Sequence, residues 1–137
     1  MRVKELTVQA AIENTDIVIG FVNRQLAEMN CSARLRAQID VAVDDIFANI
    51  ANYAYREGAG SATVRVEAAQ NPPGVLVTFI DRGVPYDPLS AAEPDVTLPP
   101  GKRPVGGLGI FMVKKTMDAM TYAFRDGCNT LTLRKNL

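Results

Sequence analysis

Apolar residues mark out eight segments along this chain. Val3 to Ala10 sets Val3, Leu6 and Val8 among charged and polar neighbours, which predicts a strand. From Thr15 or Asp16, either a possible N-cap, to Met29, residues Ile17, Val18, Phe21, Val22, Leu26 and Met29 recur at helical spacing. Ser32 is the expected cap of a second helix, in which Ile39, Ala42, Val43, Ile46, Ile50 and Ala54 form one face. Gly58 and Gly60 close it. Ser61 to Ala68 alternates Ala62, Val64 and Val66 with Thr63, Arg65 and Glu67, the pattern of a half-buried strand. After the turn Asn71-Pro72-Pro73-Gly74, the stretch Val75 to Ile80 is almost wholly apolar, as a central strand should be. Leu108 to Met117 predicts a third helix. Thr121 to Arg125 and Thr130 to Leu133 predict two strands joined through Asp126-Gly127, a hairpin signal.

The order β-α-α-β-β-α-β-β predicts a two-layer α/β sandwich, with three helices covering one face of a mixed, mostly antiparallel sheet. One stretch departs from this regularity. Between Asp81 and Val105 lie Pro85, Pro88, Pro94, Pro99, Pro100 and Pro104, with little periodic hydrophobicity. A loop this long in a small domain is commonly a lid or disordered, and a lid over about 88–106 is expected here.

Composition narrows the function classes. At 137 residues the chain fits one domain, 1–137, able to build a core without metals or disulfides. Lys+Arg and Asp+Glu are both 15, which gives no electrostatic case for nucleic acid or an anionic membrane. Cys31 and Cys128 have no metal-ligand spacing and are expected as buried free thiols in a cytoplasmic protein. No signal peptide or bilayer-spanning run is expected. The chain has no histidine, which removes serine-type triads, histidine-ligated zinc and any phosphohistidine within it.

Three clusters carry candidate chemistry. On the second helix Gln38, Asp45, Asn49, Asn52 and Arg56 share a polar stripe, and Asp45 stands one turn from Asn49. Asn and Asp are weak interior helix formers, although a merely solvated flank would look similar. Directly after the apolar strand comes Asp81-Arg82-Gly83-Val84-Pro85-Tyr86-Asp87-Pro88, which is also ordinary turn chemistry. Gly106-Gly107-Leu108-Gly109 opens the third helix, where closely approaching backbone amides form a phosphate site. Neither a P-loop nor a Rossmann fingerprint is present.

In this order the clusters resemble the Bergerat ATPase fold of DNA gyrase, histidine kinases and mismatch-repair ATPases. They resemble more closely the serine/threonine protein kinases that act as bacterial anti-sigma factors. Asp45, Asn49, Tyr53, Ala54 and Tyr55 fit that family's helix box. Asp81, Gly83, Pro85, Tyr86, Asp87 and Pro88 fit its first glycine box, and Gly106, Gly107, Gly109 and Ile110 its second. The resemblance implies that Asp81 accepts from the adenine amino group, that Gly83 lets backbone pass close to the base, and that Tyr53 and Pro85 belong to the ATP site. It implies Asn49 as the Mg²⁺ ligand and the amides around Gly107, Leu108 and Gly109 as phosphate donors. Lys102 and Arg103, in the lid, would add positive charge there; ordinary solubility accounts for them too. Asp45 is the implied catalytic residue, orienting or deprotonating a Ser or Thr hydroxyl, although the family usually has Glu there. Implied partners are a sigma factor and an anti-sigma factor antagonist, with a homodimer as the assembly. Two alternatives stay open: an ATP-binding module that sequesters a protein partner with little or no phosphotransfer, and a detached histidine-kinase catalytic domain.

Overall fold

The computed structural model describes residues 3–55, 59–90 and 107–137. In chain order they form strand β1 (Lys4–Gln9), helix α1 (Thr15–Glu28), helix α2 (Ala33–Asn49) and strands β2 (Ser61–Ala69) and β3 (Gly74–Asp81). Helix α3 (Gly107–Thr116) and strands β4 (Ala119–Arg125) and β5 (Cys128–Asn136) complete the order expected from the hydrophobic pattern. Gly58 and the lid segment 91–106 lie outside the described residues.

The strands make one sheet in the order β1-β2-β3-β5-β4. Among the described residues all four pairings are antiparallel. Strand β3 is apolar because it is central, hydrogen-bonded to β2 on one side and β5 on the other. Val64, Val66, Val77, Phe79 and Leu133 face inward and are buried. Onto them pack Val18, Val22 and Leu26 of α1, Ile39, Val43 and Phe47 of α2, and Ile110 and Val113 of α3. Each such side chain gains about 1.5–3 kcal/mol from leaving water, and three helices on one face give the two-layer sandwich. The other face is polar: Arg65 pairs with Glu5 at 2.7 Å, and the Thr78 and Thr132 hydroxyls lie 3.3 Å apart.

Local chemistry sets several boundaries. Asn30, at φ 55°, ends the α1 connection in a left-handed conformation that Asn tolerates. Ser32 Oγ accepts from the Leu35 amide at 3.2 Å and caps α2. Asp126 and Gly127, at φ 53° and 77°, make the type I′ pair that suits a two-residue hairpin. Neither Thr15 nor Asp16 caps α1. A 3₁₀ turn over Ile12–Asn14 runs straight into the helix, and the Thr15 hydroxyl donates to the Ile12 carbonyl at 2.7 Å. Ile17, expected on the apolar face, is exposed. Cys31 and Cys128 are free but half-buried rather than buried. Among the described residues no helix is long and apolar enough to cross a membrane.

The main departure from a regular fold comes at the end of α2. Its i→i+4 bonding gives way over Ile50–Ala54 to a π-helical turn, and Tyr55 is already extended. Such wider turns occur often at functional sites.

Candidate functional site

A cavity of about 490 Å³ opens where this π turn meets the end of β3, the start of β5 and α3. That volume suits a small-molecule ligand. Phe79, Ile110 and Leu131 supply apolar wall, while Asn49, Asn52 and Tyr53 come from α2 and its π turn. Asp81, Pro85 and Tyr86 border it from β3 and the segment beyond. Tyr53 and Tyr86 are half-exposed at its rim.

Asp81 is the buried acid of the site, only 6 % exposed. It ends β3 in the inward phase set by Val77 and Phe79, so its carboxylate turns toward the helical layer. Its Oδ1 accepts from the Gly83 amide at 2.8 Å and from Asn129 Nδ2 at 3.0 Å. Among the described residues nothing donates to its Oδ2, which is left as an acceptor for a ligand in the cavity.

Gly83 does not itself line the cavity, and its small size admits the end of α2. A Cβ there would fall 2.2 Å from the Ala54 carbonyl oxygen. The missing side chain lets the loop lie against the end of α2, where the Val84 amide donates to that same carbonyl at 2.8 Å. Tyr55 ties the junction further: its hydroxyl donates to the Ser61 carbonyl at 2.6 Å and accepts from the Arg82 amide at 2.9 Å. Gly60 makes room for that ring, since a Cβ there would meet it at 2.1 Å.

Asn49 lines the cavity, and among the described residues its amide has no hydrogen-bond partner. An unengaged amide oxygen is a hard donor of the kind Mg²⁺ accepts, so the residue fits the metal role inferred for it. Among the described residues no group of three or more acidic, Cys or His side chains could hold an ion alone. Asp45 lies one turn earlier, half-buried, and is not among the cavity-lining residues. Burial, and then the neighbouring Asp44 charge, push its carboxyl above the ordinary range.

Gly107, Leu108 and Gly109 form the first turn of α3, whose amides have no intrahelical acceptors. Ile110, next in the chain, is buried against the cavity, so this helix start adjoins it. Gly106, Lys102, Arg103 and Arg56 lie outside the described residues.

Asn129 and Tyr122, which no sequence motif marks, also line the cavity. Asn129 is 7 % exposed and sits opposite Asp81 in the β3–β5 register. It donates to Asp81 and to the Val84 carbonyl at 2.9 Å, and accepts from the Tyr86 amide at 3.1 Å and from the Tyr122 hydroxyl. Burial raises the Tyr122 pKa; the Tyr86 amide opposes this, and the Asp87 and Asp81 charges add to it. A polar residue in the inward phase of Leu131 and Leu133 was the one signal that marked Asn129.

A buried acid at a strand end, an Asn with no hydrogen-bond partner among the described residues and a helix N-terminus thus meet beside one cavity. The chain belongs to the histidine kinase-like ATPase domain family, whose model matches residues 8–135. It is 32% identical over 102 residues to the serine/threonine-protein kinase BtrW of Bordetella bronchiseptica (strain RB50), an alignment covering 74% of this chain and 71% of that protein.

Proposed function

We propose that the protein is an ATP-dependent serine/threonine kinase of the anti-sigma type, phosphorylating an anti-sigma factor antagonist. What carries this reading is the meeting of the buried Asp81 and Asn49 in one cavity, on a chain similar to a named serine/threonine kinase. Asp81 Oδ2 takes an adenine N–H, and the amides of the first α3 turn take phosphate oxygens. Asn49 would hold Mg²⁺, which when bound neutralises charge on the phosphates. Asp45 takes the proton from a Ser or Thr hydroxyl as its oxygen bonds to the γ-phosphorus and ADP leaves; a carboxyl raised above its usual range is a better base for this. In this reading a sigma factor is held in one state and the antagonist is modified in the other, with a homodimer as the assembly.

One observation favours a second reading, a nucleotide-dependent module that sequesters its partner without phosphotransfer. Asp45 is a methylene shorter than Glu and does not line the cavity, and a displacement of about 1 Å can cost on the order of 10²-fold in rate.

Incubating the protein with Mg-ATP labelled at the γ-phosphate and candidate antagonists separates the two. The kinase reading expects label on Ser or Thr. It also expects Asp45→Asn to lower transfer by about 10²-fold or more with ATP affinity retained. Wild-type protein that binds ATP yet labels no antagonist establishes the module instead.

A further inference from the structure

The Asn129 amide is saturated. Asp81 Oδ1 and the Val84 carbonyl are acceptors and can meet only its NH₂ group; the Tyr86 N–H is a donor and can meet only its oxygen. These partners fix the amide's orientation, and the Tyr122 hydroxyl must then donate to the same oxygen. Both donors and both lone pairs are in use, so the residue has nothing left for a ligand, although it lines the cavity. Asp81 Oδ1 is likewise occupied twice, by Asn129 and by the Gly83 amide.

From this we propose that Asn129, itself held by Tyr122, is a positioning residue for base selection. It pins the Asp81 carboxylate so that a single acceptor, Oδ2, is offered to the cavity. One fixed acceptor matches the N–H of a 6-aminopurine and opposes the carbonyl of a 6-oxopurine. An unpinned carboxylate would turn, trade oxygens or recruit water, and would discriminate less. Strand register builds this arrangement: Asp81 and Asn129 are direct partners on β3 and β5, and the β4–β5 hairpin brings Tyr122 alongside. The proposal rests on the reading that the cavity takes the base of ATP.

ATP and inosine triphosphate, whose base carries a 6-carbonyl, are suitable probes. Their dissociation constants are measured for wild type, Tyr122→Phe and Asn129→Asp between pH 5.5 and 8. Tyr122→Phe removes one hydrogen bond and is expected to lower the preference for ATP by about 2–10-fold. Asn129→Asp puts a second carboxyl against Asp81, and two acids in contact hold one proton at a raised pKa. Below that pKa the introduced carboxyl still donates to Asp81; above it the donor is lost and the charges repel. Its ATP affinity relative to wild type should therefore fall as pH rises, by about 10-fold or more, with circular dichroism at each pH separating this from loss of the fold. Variants that fold, by circular dichroism, and keep wild-type preference and pH response overturn the proposal. Tyr122→Phe decides alone if Asn129→Asp does not fold. Wild-type protein that binds neither nucleotide overturns the ATP reading and this inference with it.

Discussion

Half-buried, and beside Asp44, the Asp45 carboxyl has its pKa raised, first by burial and then by the Asp44 charge. Its folded-state pKa lies above the unfolded value, which is about 3.9 for Asp, so the folded chain binds this proton more tightly than the unfolded one. The ionised carboxylate therefore costs stability, fully above the raised pKa and not at all below the unfolded value. Replacing it with Asn removes that cost. Thermal unfolding should show Asp45→Asn with a higher Tm than wild type at pH 7.5, by a few degrees at most because solvent screens a half-exposed group. The advantage should shrink as pH falls toward 4. An equal shift at every pH would mean that the amide acts through packing rather than through charge. The same substitution is the one expected to remove phosphotransfer, so a gain in stability with a loss of activity would mark this carboxyl as kept for chemistry.

The junction of α2 with the loop after β3 explains which parts of the site were legible in the sequence. Asp81, Gly83 and Pro85 announce themselves because a strand end and its turn are local in the chain, and Asn49 because helical periodicity puts it in a stripe. The π turn gave no such signal. Ile50-Ala51-Asn52-Tyr53-Ala54 contains no helix breaker, and the turn coincides with a distant demand, the bond from Val84 N–H to the Ala54 carbonyl. Asn129 was hidden for the same reason: only the antiparallel register brings it to Asp81 across 48 positions of chain. Gly83 was legible as a glycine, whereas its close approach to helix backbone was not. Gly83→Ala is therefore expected to force the loop off Ala54, because a carbonyl at 2.2 Å cannot rotate away as a side-chain tip could. With the Val84 bond lost, unfolding in urea should report a destabilisation of about 1–3 kcal/mol, together with weakened ATP binding. Tyr55→Phe, which deletes two hydrogen bonds from the same junction, should cost about 1–3 kcal/mol with the cavity residues left in place.

The cavity draws on both layers: the end of α2, the inward face of the sheet and the start of α3. Phe79 and Ile110 serve at once as buried core and as cavity wall, so a ligand there braces elements whose packing is the fold. Unfolding disperses those elements, and a ligand that binds only the folded chain stabilises it by RT ln(1 + [L]/Kd), about 2.7 kcal/mol at a hundredfold excess over Kd. For a chain of 137 residues that corresponds to a Tm rise on the order of 10 °C. Asp81→Asn puts an amide where a carboxylate accepts from the Gly83 amide and from Asn129, and replaces an acceptor-only group with one that also carries donors. Thermal scans with and without Mg-ATP should therefore show the full rise for wild type and Asp45→Asn, and little or none for Asp81→Asn at the same nucleotide concentration. An undiminished rise in Asp81→Asn would move the base away from β3, whereas a rise lost equally in Asp45→Asn would place that carboxyl against the nucleotide rather than against the protein substrate.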